Sequence, residues 1–182
     1  MPIAPARRKN AVSRFARTEE QPALAAAARQ AARVALRWIS DPGGAEELTH
    51  AELLDQAARA AAALERLGVR AGDRVAVHLP LVPESVIVTL ACGRLDAVRS
   101  SIPVGVPAQQ LRERVRELGA AVLITADAEQ RGGEVQPLKP VVDRALAGGG
   151  CPDVRNVLVV HRAPRPVSWT PGRDLWWHEA LG

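Results

Sequence analysis

"RVAVHLPLVPESVIVTLACGRLDAVRSSIPV", Arg74 to Val104, holds a complete folding unit. In Arg74–Leu79 the residues Val75, Val77 and Leu79 alternate with their neighbours and predict one face of a β-strand. A helix is expected from Glu84, with Val86, Ile87, Leu90, Ala91 and Leu95 turned inward. "VRSSIPV" then returns to strand composition. Strand, helix and strand in this order make a βαβ crossover, which lays two parallel strands side by side beneath the helix.

Outward from this unit the pattern repeats. Upstream, "VALRWI" (Val34–Ile39) reads as a strand stopped by the turn cluster "SDPGG". Thr49 and Glu52 match a capping box, in which each side chain satisfies a backbone N–H at a helix start. Leu53, Ala57, Ala60, Leu64 and Leu67 follow at spacings of four and three, one apolar stripe, and Gly68 supplies the left-handed stop. The alanine-rich stretch from Pro22 to Arg33 should be helical by propensity. Downstream come a turn at Gly105, the helix "PAQQLRERVRELG", the strand "AVLITA" (Ala121–Ala126), the helix "LKPVVDRAL" and the strand "VRNVLVVH". The tail "TPGRDLWWHEALG" starts one more helix. The expected fold is α/β, a mostly parallel sheet of about five strands with helices on both faces. Residues 21–182 form it, and residues 1–20 form a basic flexible arm.

Composition bounds the function. A chain of 182 residues suits one domain and needs no disulfide or metal staple. With 47% hydrophobic but only 3% aromatic residues, the core must be built from Ala, Val, Leu and Ile. The net charge of +4 is carried almost wholly by arginine, since Lys9 and Lys139 are the lysines. Acids and bases alternate along helices, as in "LRERVREL", which is the pattern of a solvated face. Basic residues cluster in "ARRKNAVSRFARTEE", but that stretch lacks the run of interleaved aromatics on which nucleic-acid bases stack, so a nucleic-acid partner is disfavoured. Cys92 in an apolar helix and Cys151 in a glycine-rich loop read as free thiols of a reducing compartment, and the expected location is cytoplasmic. No apolar run is long enough to cross a membrane, and no secretory segment follows the early arginines.

Ligands of parallel sheets gather at the carboxyl ends of the strands. There lies "ITADAEQRGGEVQPLK", Ile124 to Lys139, which opens as a buried strand and closes as a helix entrance. Between those ends stand Arg131, Gly132, Gly133 and Glu134. A guanidinium is a planar fork matched to phosphate oxygens, and glycines admit a ligand close to the backbone. An ordinary exposed turn accounts for the same residues. The remaining features favour plain structural readings. "AGGGCPD" (Ala147–Asp153) precedes a strand and carries no lysine, so a solvent loop is simpler than a phosphate cradle. His50, His78, His161 and His178 lack metal-ligand spacing. Neither cysteine has a local activating partner, and Trp176–Trp177 read as packing.

Several of these segments, in register, resemble one family. "ELTHAEL", "LGVRAGDRVAVHLPLVPESVIVTLACGRLDAV", "ITADAEQRGGEVQPLKPVVDRAL", "VRNVLVVHR" and "GRDLWWHE" are similar to acetyl-CoA and propionyl-CoA synthetases, AMP-forming acid–thiol ligases of the adenylate-forming superfamily. The likeness runs from about Val34 to Glu179. It implies activation of a short carboxylic acid by ATP and Mg²⁺ to an acyl-adenylate, followed by acyl transfer to CoA. It also implies that the turn Arg131–Glu134 meets the 3′-phosphate ADP end of CoA.

Three departures from the family pattern bear on that implication. Glu134 stands where relatives carry a second basic residue, and a carboxylate about 4 Å from a phosphate charge costs on the order of 4 kcal/mol before screening. In "SSIPVGVPAQQL", Val104 and Pro107 alter a turn that is Gly-Gly-Phe-Ser-Pro in type, which hinders approach past Gly105. Asp96 occupies a helix-ending glycine position and is expected to take a left-handed backbone.

The family's phosphate loop, adenine and acyl pockets, Mg²⁺ ligands and catalytic lysine correspond to positions beyond Gly182. Lys139 matches a structural helix position, so no catalytic residue is nominated. The expectation is a ligase portion, incomplete alone, that contributes the CoA side and works with a partner, or self-associates, through surface its missing part would cover. The alternative is a non-catalytic binding or regulatory module built on that scaffold.

Overall fold

The computed structural model describes residues 17–40 and 43–182, so most of the arm expected over residues 1–20 lies outside them. Helix α1 (Arg17–Ala31) begins earlier than Pro22 and is followed by an antiparallel hairpin, β1 (Val34–Ile39) and β2 (Ala45–Thr49). Then come α2 (His50–Arg66), β3 (Arg74–His78), α3 (Pro83–Arg94), β4 (Val98–Ser101), α4 (Ala108–Leu118) and β5 (Val122–Ala126). A second hairpin, β6 (Ala128–Arg131) and β7 (Glu134–Pro137), precedes α5 (Lys139–Leu146). The chain closes with β8 (Asn156–Val160), β9 (Asp174–Trp176) and α6 (Trp177–Leu181).

The main sheet has five parallel strands in the order β4-β3-β5-β8-β9. Helices cover both faces. One layer packs α2, α3 and α6 through Leu53, Leu64, Ile87, Ala91 and Trp177 onto Val75, Val77, Ile124 and Leu158. The other packs α4 and α5 through Leu111, Val115 and Val142 onto Ala76, Leu123 and Val157. Every residue of β5 is therefore buried, as double coverage requires.

Local chemistry sets the element ends as expected at several points. The Thr49 hydroxyl accepts from Glu52 N–H at 3.2 Å, and Glu52 Oε2 accepts from Thr49 N–H at 2.8 Å, completing the capping box of α2. Gly68 ends that helix at φ +90°, and Asp96 takes the left-handed backbone at φ 52°.

Four expectations are corrected. Val86 is outward, because α3 presents Ile87, Val88, Ala91 and Cys92 to the sheet, and steps of 100° carry residue 86 nearly opposite their centre. The strand Val34–Ile39 is not in the main sheet, since it pairs with the polar strand β2. The fifth place falls instead to β9, within a tail expected to be helical only. The stretch between Ile124 and Lys139 is not a bare turn either, but a hairpin.

β9 and the irregular chain before it are fixed by a compact ionic network. The fully buried Lys139 Nζ donates to Asp174 Oδ2 at 2.8 Å, Asp143 Oδ1 at 2.7 Å and the Ser168 carbonyl at 3.1 Å, using all three protons. Arg173 donates to the same two carboxylates, to Asp174 Oδ1 at 2.6 Å and Asp143 Oδ1 at 2.7 Å. Burial acts to raise the Asp174 carboxyl, but hydrogen bonds from Arg173, Lys139 and the Thr170 N–H outweigh it and hold it below the usual carboxylate range. A carboxyl depressed in the folded state stabilises the fold fully above its unfolded value, about 3.9, and loses that contribution as pH falls toward the folded value.

Asp174→Asn should therefore cost about 3 kcal/mol at neutral pH in chemical denaturation, the scale for breaking a buried pair. Its melting temperature should also decline less steeply than the wild type below about pH 4. Equal stability of the two proteins across that range would contradict this account of the network.

Candidate functional site

The connection after β3 runs to β4 on one side, whereas the connection after β5 runs on to β8 on the other. Between the carboxyl ends of β3 and β5 the winding therefore reverses, and such points open a crevice. A cleft of about 860 Å³ lies there. Ile39, Leu79, Leu81, Val82, Ile102 and Val104 give it an apolar side, while Arg99, Arg131, His161 and Arg162 give it a basic one. Leu81 is 90% exposed and Ile39 71%, so the apolar lip faces solvent.

Asp127, directly after β5, organises the basic side. Its buried carboxylate accepts from Ala128 N–H and Arg162 N–H, both at 2.7 Å, and from Ala163 N–H at 3.3 Å. It also bonds His161 Nδ1 at 2.7 Å. Its backbone N–H donates to the Val160 carbonyl, and its own carbonyl accepts from Leu138 and Lys139. One residue thus joins the exits of β5 and β8 to the β6–β7 hairpin and the start of α5.

That hairpin carries the arginine singled out from the sequence. Arg131 and Glu134 face each other across it, with Gly132 at φ 61° and Gly133 at φ 78° between them. Positive φ at both central residues is the type I′ geometry that hairpins favour and that glycine adopts without strain. A Cβ at either glycine would meet nothing within 4 Å, so backbone conformation and not crowding selects glycine here. Of the four residues, Arg131 lines the cleft, whereas Gly132, Gly133 and Glu134 lie outside its lining.

Two further arginines were not found by sequence reasoning. The Arg162 guanidinium lies 4.8 Å from the Trp38 ring centre, pairs with Glu84, and reaches Glu46 at 3.5 Å. The Trp38 indole N–H is held by the Leu81 carbonyl at 2.6 Å. Arg99, on β4, donates to the hydroxyls of Ser101 and Ser85, the latter at 2.8 Å. An arginine inside a polar strand such as "VRSS" carries no spacing signal, and Asp127 and His161 come together from β5 and β8 only in the fold.

Three further titratable groups, Cys92, Cys151 and His78, are buried in the fold. Burial pushes the Cys92 thiol up to about 11, against a weaker opposing pull from Arg99. Burial likewise raises Cys151, so neither is an activated nucleophile. Burial lowers His78, whose Nδ1 lies 3.2 Å from the Ile102 carbonyl. Trp177 is buried in the core, the packing role expected of it. Among the described residues no group of three or more His, Cys, Asp or Glu converges to hold a metal ion. No helix among them is long and apolar enough to cross a membrane.

Residues 24–178 match the AMP-binding enzyme family. The chain belongs to that family. It is 46% identical over 147 residues to an acetyl-coenzyme A synthetase of Streptomyces avermitilis, covering 81% of this chain and 22% of that protein. It is 45% identical over 150 residues to the enzyme of the same name from Mycolicibacterium smegmatis, covering 82% and 16% respectively. For that of Emericella nidulans the identity is 43% over 150 residues, covering 82% and 22%. The chain thus spans less than a quarter of these relatives' length. It corresponds to the N-terminal part of an AMP-forming acetyl-CoA synthetase, as the sequence resemblance implied.

Asp127→Ala would strip the acceptor from three backbone N–H groups at once. It should lower stability by at least about 3 kcal/mol. Limited proteolysis should then cut first within residues 128–137, and a cleavage pattern unchanged from wild type would count against the clamp.

Proposed function

We propose that these 182 residues supply the CoA-binding side of a short-chain acyl-CoA synthetase, which converts acetate or propionate, ATP and CoA to acyl-CoA, AMP and pyrophosphate. The observation carrying this reading is Arg131, held by a type I′ hairpin on the rim of the cleft at the winding reversal. The level of identity to acetyl-coenzyme A synthetases supports it.

In this reading the Arg131 guanidinium takes the 3′-phosphate of CoA, a charge-assisted and bidentate match. The cleft seats the rest of the nucleotide, and its apolar side accommodates the start of the pantetheine arm. The adenylation step needs preorganised cations around the transferring phosphoryl group. Those belong to residues outside this stretch, whether on the same polypeptide or on a partner. The acyl-adenylate is then attacked by the CoA thiol with departure of AMP, at a centre to which this chain contributes only carrier binding.

Two measurements test the proposal. The 182-residue chain incubated with acetate or propionate, ATP, Mg²⁺ and CoA should release no pyrophosphate; release would refute the division of labour. In calorimetry CoA should bind, with Arg131→Ala weakening it roughly tenfold and Glu134→Arg strengthening it by removing a repulsive charge. Identical heats for wild type and Arg131→Ala, or none for either, would overturn the CoA reading.

A further inference from the structure

Arg99 differs from the ion-paired cations of the fold. Arg162 is matched by Glu84 and Glu46, and Arg173 and Lys139 are matched by Asp143 and Asp174. Arg99 makes no ion pair with a carboxylate among the described residues. Its partners are two neutral hydroxyls, Ser85 on α3 and Ser101 on β4, and its Nε is shielded from solvent without a hydrogen bond. A guanidinium has five donors in a fixed plane, and two hydroxyls leave most of them unused while fixing its orientation.

A second observation points the same way. Ser85 lies in the first turn of α3, whose N-cap is Val82 and whose first residue is Pro83, so no side chain caps that helix. Val82, Ser85, Arg99 and Ser101 all line the cleft. The uncapped positive end of a 12-residue helix and an unmatched arginine therefore meet in one wall. The nearest acid of that helix, Glu84, is engaged by Arg162.

We propose that Arg99, oriented by Ser85 and Ser101 against the start of α3, forms a second anion subsite, taking the diphosphate of a nucleotide ligand whose other phosphate reaches Arg131. This rests on the CoA reading for the identity of the ligand, but not for the presence of the subsite. Arg99 lies on β4 and Arg131 on the β6–β7 hairpin, and both line the cleft.

The test is calorimetric titration of the 182-residue chain with CoA, 3′-dephospho-CoA and inorganic pyrophosphate, comparing wild type with Arg99→Gln, Arg99→Lys and Arg131→Ala. Arg99→Gln should weaken all three ligands roughly tenfold or more, and Arg99→Lys should recover part of the loss by restoring charge. Arg131→Ala should weaken CoA while leaving dephospho-CoA and pyrophosphate unchanged. Matching far-ultraviolet dichroism and melting temperatures would confirm that the variants are folded, and the lysine variant reads the charge if the glutamine variant is not. CoA binding that depends on Arg131 but is indifferent to Arg99→Gln would overturn the subsite and leave the CoA reading standing. Pyrophosphate binding lost in Arg99→Gln, with no binding of CoA, would uphold the subsite and sink the CoA reading. Absence of binding by every ligand would overturn both.

Discussion

The cleft exists because one carboxylate, that of Asp127, sits where four chain segments meet. Taking such a group out of water is costly unless hydrogen bonds offset the loss. Asp127 collects four of them, three from backbone N–H groups and one with an imidazole. Each bond is also a positional constraint. The exit of β8 cannot drift from that of β5, and the hairpin bearing Arg131 cannot swing away from α5, without exposing a buried polar group. The apolar layers make the sheet stable, but they are indifferent to how its loops are aimed. Asp127 is what aims them.

Two kinds of cation surround this centre. Lys139, Arg173 and Arg162 are each surrounded by carboxylates and tie chain to chain: Lys139 and Arg173 hold β9, and Arg162 draws β2 and α3 toward the exit of β8. Arg99 and Arg131 have no carboxylate paired with them among the described residues. Charge that is already balanced inside the fold serves architecture; charge left unbalanced at the wall of a crevice is what a phosphate-bearing ligand would meet. The division follows residue by residue from the ion pairs, without reference to which arginine is more exposed.

Much of the architecture was legible because it is written in periodicity. The apolar stripe of α2, its Thr49–Glu52 start and the alternation in β3 are local patterns, and each matched the fold. The elements that escaped are short or polar. β2 reads "AEELT", β7 reads "EVQP", and β9 spans only three residues, so none has an apolar alternation to announce it. They form because partners in space satisfy their backbone. The site divides likewise: Arg131 was conspicuous because a left-handed turn demands the glycines beside it. Arg99 and Asp127 were invisible, because the setting of a partly or fully buried charge is defined by neighbours distant in sequence.

The two cysteines carry a last consequence. Cys92 belongs to the layer of α3, and Cys151 packs into the layer of α4 and α5, on the opposite side of the sheet. They cannot join without dismantling the strands between them, and burial keeps both sulfurs protonated and sheltered. Each is therefore a silent sentinel for its own half of the molecule. A thiol reagent will register the loosening of one helical layer independently of the other, with no label added to the chain.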